Sequence, residues 1–258
     1  MSQILTQYIP SLEGMKKYPS ALFYKGNLDL LQRPKVSIVG TRRPSNYTRQ
    51  FTYTLAKALA KRGVCVVSGA AMGVDTIAHS GAGEENTIAV VANGLDICYP
   101  AVNKNLIESI ENKGLLLSQF NDGFRATGWS FVVRNELVVA LGDILVVTEA
   151  DLNSGSMRSV EYALKMGKKI FVLAQRLDES LGTNQLLQNM EATAILDVEA
   201  FASTFGQVAD DNVDKDDFFY FCQTTPTFDE SLKRFGDRVY EAELEGTITI
   251  QNGIVRLS

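Results

Sequence analysis

The run Gly40-Thr41-Arg42-Arg43-Pro44-Ser45 sets two guanidinium groups in a turn between a glycine and a proline. Arginines beside free backbone N–H groups hold anions, phosphate above all, through charge and forked hydrogen bonds. Similar donors recur along the chain. Ser68-Gly69 and the following Gly73 allow close approach of backbone to a ligand. Asn93 precedes Gly94, and Arg125 lies in a polar loop between Gly123 and Gly128. Phe131, Arg134 and Asn135 stand at helical spacing, the first two on roughly one face. Ser154-Gly155-Ser156 offers hydroxyls and N–H groups where a helix begins. No serine in these runs sits in a G-x-S-x-G turn, and His79 is the sole imidazole, a residue type that packs a helix more often than it acts as a base. Asp75 reads as a loop cap. Phosphate-binding donors with one or two aromatics (Phe131, Trp129) and no activated nucleophile describe a binder of single-stranded nucleic acid better than a catalyst.

These residues need a scaffold that brings distant loops to one place. Residues 36–39 are a β-branched run that reads as a buried parallel strand. Gly40 turns the chain, Ser45 or Asn46 caps a helix over about 47–62, and Gly63 stops it. The same alternation recurs, with strands at 64–67, 87–92, 115–118, 144–148 and 169–174 and helices between them. The pattern predicts an α/β fold, an extended Rossmann-like parallel sheet with helices on both faces. Such sheets bind ligands at the carboxyl ends of their strands. Residues 1–34 are expected to pack on this core as an N-terminal segment, with 21–25 as an edge strand. The Rossmann-like domain should span 35–205 and an acidic linker 206–217. A small winged-helix-like domain should fill 218–258, closed by a hairpin around Asn252-Gly253.

The charge is segregated. The net charge is −5, yet residues 33–62 hold eight Lys or Arg and no Asp or Glu, whereas residues 210–258 hold eleven acidic residues against five basic ones. A local basic groove is compatible with an acidic total. No apolar run approaches the ~20 residues that span a bilayer. Residues 1–10 lack a secretory pattern. Cys65, Cys98 and Cys222 are scattered, which argues against a disulfide framework or a zinc site and for a reducing cytoplasm. Neither a dinucleotide G-x-G-x-x-G nor a P-loop is present. No cofactor and no metal are expected.

Taken together, Gly40-Thr41-Arg42, residues 68–79 (Ser-Gly-Ala-Ala-Met-Gly-Val-Asp-Thr-Ile-Ala-His), residues 94–103, residues 131–139 (opening Phe-Val-Val-Arg-Asn) and Ser154-Gly155-Ser156 resemble, in order and spacing, the motifs of the DNA-processing DprA (Smf) family. The resemblance covers about residues 20–200, and the tail from about 215 is similar to the winged-helix domain of some members. It implies sequence-independent binding of single-stranded DNA, a homodimer, protection of incoming DNA and loading of the RecA recombinase in natural transformation. By position, Arg42, Ser68, Gly69, Phe131, Arg134 and Asn135 would line the DNA pocket. Met72 and Glu136 stand where the family often has arginine, which implies a less basic groove unless Arg43 and Arg125 compensate. The alternative is a nucleoside-monophosphate N-glycosidase of related fold. Glu161 would be its catalytic carboxylate, but the Gly-Gly-x-Gly-Thr run that goes with it is missing.

Overall fold

The computed structural model describes residues 2–208, 217–244 and 247–257. The chain divides into two compact units, Met1–Gln207 and Val208–Ser258. The first contains strands β1 (Gln3–Ile4), β2 (Phe23–Gly26), β3 (Lys35–Val39), β4 (Cys65–Ser68), β5 (Thr87–Val91), β6 (Leu115–Ser118), β7 (Ile144–Val147), β8 (Ile170–Leu173) and β9 (Thr193–Ile195). Its helices are α1 (Asn46–Ala60), α2 (Val74–Ala82), α3 (Lys104–Lys113), α4 (Gly128–Leu141), α5 (Gly155–Lys165), α6 (Leu181–Gln188) and α7 (Val198–Ser203).

The strands form one sheet in the order β1-β2-β6-β5-β4-β3-β7-β8-β9. From β6 to β9 every pairing is parallel, while β2 runs antiparallel to β6 and to β1. Strand side chains alternate between two apolar layers, as the period of two requires. Cys65 and Val67 join Ile88, Leu117 and Leu145 beneath α4 and α5. Val66 joins Val36, Ile38 and Val146 beneath α1 and α2. The chain travels outward from β3 through β4, β5 and β6, then α4 carries it back to β7 on the other side of β3. That reversal leaves a crevice between the loops after β3 and β7, the place where open α/β sheets take ligands.

The expected doubly covered parallel sheet is present, with differences at its margins. Residues 21–25 do not form an edge strand. β2 is hydrogen-bonded on both sides, and the two-residue β1 takes the edge, too short to read from sequence and too short to template further pairing. Helix α4 begins at Gly128, three residues before Phe131, the first residue of the helically spaced set. Thr127 Oγ1 accepts from the Ser130 N–H and Ser130 Oγ accepts from the Thr127 N–H, a reciprocal cap with serine in the usual Glu position.

In the second unit, α8 (Asp217–Gln223), α9 (Phe228–Phe235) and α10 (Arg238–Leu244) precede a hairpin of β10 (Ile248–Gln251) and β11 (Ile254–Leu257). Asn252 and Gly253 both have positive φ, 52° and 73°, which matches the right-handed twist of the paired strands. Phe218, Cys222, Val239, Ala242, Ile248 and Val255 form its core. Most of the linker expected at 206–217 lies outside the described residues. No helix among the described residues is long and apolar enough to cross a membrane.

Candidate functional site

The turn after β3 is held from both sides. A Cβ on Gly40 would stand 2.6 Å from Val74 Cγ2 and 3.0 Å from Thr148 Oγ1, so only glycine lets α2 and the end of β7 close on it. The Thr41 N–H donates to the Glu149 carbonyl at 2.9 Å, and the Thr41 carbonyl accepts from the Val74 N–H at 3.1 Å. Ser45 Oγ caps α1 by accepting from the Thr48 N–H and donates to the Glu149 carboxylate at 3.0 Å. Gly73 lies at φ +84°, ψ −127°, a region open to glycine alone, and packs against the Thr41–Arg42 backbone. With the backbone fixed in this way, the Arg42 side chain is exposed at the crevice. Its Cζ sits 5.4 Å from the centroid of the Phe131 ring, within cation–π range. Among the described residues no carboxylate lies within ion-pair distance of it.

The crevice is an open pocket of about 310 Å³. Gly40, Thr41 and Arg42 form one wall, Phe131, Arg134 and Asn135 of α4 another, and Ser154, Gly155 and Ser156 at the amino end of α5 a third. A narrower slot adjoins it, lined by Arg42, Gly69, Asn93, Tyr99 and Phe131. Tyr99 and Phe131 stand 5.9 Å apart, centroid to centroid.

Arg134 is on the floor, buried. Its guanidinium pairs with the Asp75 carboxylate at 3.6 Å, and its Nε has no hydrogen-bond partner among the described residues. Burial raises the Asp75 carboxyl against the opposing pull of Arg134, and burial likewise lowers Arg134. Gly69 serves this pair. A Cβ there would fall 1.0 Å from Arg134 Nη1 and 2.7 Å from Asp75 Oδ2. Ser68 is also buried, donating to the Ile38 carbonyl at 2.7 Å, and does not line the pocket. Asn93 is buried with its amide donating to the Gly94 and Ile97 carbonyls, so it shapes the loop beneath the slot. Ser154 Oγ is buried without a hydrogen-bond partner among the described residues.

Arg43 and Arg125 are exposed and line neither cavity. Met72, half exposed, borders both. Glu136 faces elsewhere, accepting from the Lys16 N–H at 2.7 Å and tying the N-terminal segment to α4. Arg158 lines the pocket and had no signal beyond lying one helical turn after Gly155. Its partner Glu161, at 3.1 Å, is exposed and off the pocket wall. His79 is fully buried, its Nδ1 against Thr87 Oγ1, and desolvation holds its pKa down to about 3.

Residues 3–206 match the family model of DNA recombination-mediator protein A. The chain belongs to that family. Its curated relatives carry the names DNA processing protein DprA and Protein Smf. The DNA processing protein DprA of Streptococcus pneumoniae is 38% identical over 174 residues, 66% of this chain and 61% of the relative. Protein Smf of Escherichia coli is 36% identical over 169 residues, 64% of this chain and 45% of the relative. The chain thus spans roughly half the length of the curated DprA/Smf proteins it matches. Among solved structures, DNA processing protein A of Helicobacter pylori, described for its single-stranded DNA binding mode, is 42% identical with a TM-score of 0.77, covering 79% of this chain and 95% of that one. The S. pneumoniae DprA structure is 33% identical with a TM-score of 0.72, covering 79% of this chain and 73% of that one. All the loops that build the pocket fall inside the family match.

Proposed function

We propose that this DprA/Smf-family chain binds single-stranded DNA without regard to sequence, protects incoming DNA and loads the RecA recombinase onto it in natural transformation, acting in the cytoplasm as a homodimer and without catalysis of its own. One observation carries the reading. At the switch point of the sheet, the guanidinium of Arg42, without an acidic partner among the described residues, lies over the face of Phe131, beside the amino end of α5. Phosphate needs the first and the last, and an unstacked base needs the ring. Reading by charge and stacking discriminates poorly between bases, which is what a general DNA-protecting protein requires. Arg134 takes part from below: it is neutralised by Asp75 and supports Phe131, its Cζ 6.0 Å from the ring centroid. The relative from H. pylori, described for binding single-stranded DNA, supports the choice of ligand.

A competition experiment tests this. Labelled oligothymidylate bound to the chain should be displaced by unlabelled single strands of any composition and poorly by duplex, and RecA strand exchange on coated single strands should quicken when the chain is added. Displacement by duplex at equal efficiency would refute the single-strand reading. Release of free base from AMP would refute the absence of catalysis.

A further inference from the structure

We infer that the outward face of α1 is a second DNA-binding tract, which takes the single strand as it leaves the pocket and leads it toward the opposite edge of the sheet. This rests on the pocket reading above and adds a surface to it.

Residues 33–62 carry eight of the chain's 25 basic residues and none of its 30 acidic ones. The structure divides those eight by task. Arg33 binds the Gly63 and Glu85 carbonyls and the Asn86 side chain; Lys35 is buried and donates to the Leu31 and Arg33 carbonyls; Arg62 pairs with Glu199 at 2.8 Å. These three do structural work at the end of the sheet away from the pocket, and a fourth, Arg49 of α1, donates to the Pro44 carbonyl at 3.2 Å. Lys57 and Lys61 are exposed and, among the described residues, have no acidic partner.

Their positions form a line. Asn46, Gln50, Tyr53, Lys57 and Lys61 recur at spacings of three and four and share one exposed face, with Tyr47 beside its start. Tyr47 and Tyr53 leave 41% and 45% of their surface to solvent. The row therefore offers amides, two accessible rings and two ammonium groups, the mixture that single-strand grooves use. The helix begins four residues beyond Arg42, on the sheet face opposite α4 and α5, and its 15 residues run ~22 Å, room for several nucleotides. The carboxylates nearest the row are engaged by the protein itself: Glu149 accepts from the Ser45 N–H and Oγ at the start of α1, Asp197 accepts from the Ala200 N–H, and Glu199 pairs with Arg62.

The test uses the full chain with charge-removing substitutions Lys57→Gln and Lys61→Gln together, and fluorescence anisotropy with oligothymidylates of about 6 and about 30 nucleotides, against Arg42→Ala as the control for the pocket. Each phosphate contact to a single strand steepens the salt dependence by ~0.7, equivalent to about fivefold in affinity at 0.1 M salt. The long oligonucleotide should therefore bind the double variant roughly 25-fold more weakly, with a log–log slope shallower by about 1.4, and the short one should bind unchanged. Unchanged affinity and slope for the long oligonucleotide would overturn the tract and leave the pocket standing. Equal weakening of both lengths would also overturn it, since the lysines would then act on the pocket itself. If Arg42→Ala left the short oligonucleotide's affinity intact, the pocket reading would fall instead.

Discussion

A methyl group added at Gly69 should unfold this protein's first unit far more readily than a surface alanine would. The backbone there has no positive φ, so alanine is conformationally acceptable. The difficulty is space: the new Cβ would stand 1.0 Å from Arg134 Nη1 and 2.2 Å from its Cζ. Arg134 is only 5% exposed and Asp75 8%, so the guanidinium cannot move aside into water without leaving the carboxylate behind. Separating a buried ion pair costs about 3–5 kcal/mol, because the abandoned charge stays desolvated. For a unit of this size that loss lowers the melting temperature by roughly 6–20 °C. Urea and thermal unfolding of Gly69→Ala, followed by circular dichroism, would measure it. Arg134→Met should cost a comparable amount, and the double variant Gly69→Ala/Arg134→Met much less than the sum, since the methyl group no longer meets a guanidinium. Were Gly69 there only to let DNA approach the backbone, Gly69→Ala would bind DNA poorly while unfolding within about 1 kcal/mol of the parent. That result, or strict additivity in the double variant, would refute the account of the floor.

Other consequences concern neighbouring groups. The unfolded chain's His79 takes its proton near pH 6.5, whereas the folded one resists to about 3, so between these values the unfolded state binds one proton more. Stability should fall as pH falls, by ~1.4 kcal/mol per unit and ~2 kcal/mol from pH 6.5 to 5, and urea titrations of His79→Gln should lack this part of the slope. Gly73→Ala forces a side chain into a glycine-only conformation and onto the Thr41 carbonyl at 2.5 Å. It should lose at least ~1–3 kcal/mol of stability in the same assay and misplace Arg42. Phe131→Ala removes the ring under Arg42 and should weaken oligothymidylate binding by ~1–3 kcal/mol in anisotropy, with little change in salt slope.

Local signals carried much of this architecture. The β-branched runs and the glycines and caps between them mark most strands and helices, because each signal is read within a few residues. The 3-residue β9 and the two-residue β1 are too short to give such a signal. Contacts between distant segments were hidden for a different reason. Asp75 and Arg134 meet only because α4 crosses back over the sheet to β7, a fact of topology rather than of composition. Gly69 looked like a ligand-facing glycine, and its neighbour turned out to be that guanidinium. Arg43 and Arg125 were as basic as Arg42 in sequence, but the turn aims only Arg42 at the pocket. Asn93 and Ser68 carry donors that the fold spends on carbonyls of its own.

The measurement nearest the centre of the account is the salt dependence of oligothymidylate affinity for Arg42→Ala beside the parent chain. Loss of one phosphate contact predicts a log–log slope shallower by ~0.7 and an affinity lower by ~1–2 kcal/mol at low salt. Superimposable salt curves for the two proteins would mean that this guanidinium does not meet the DNA backbone, and the function built on it would be wrong.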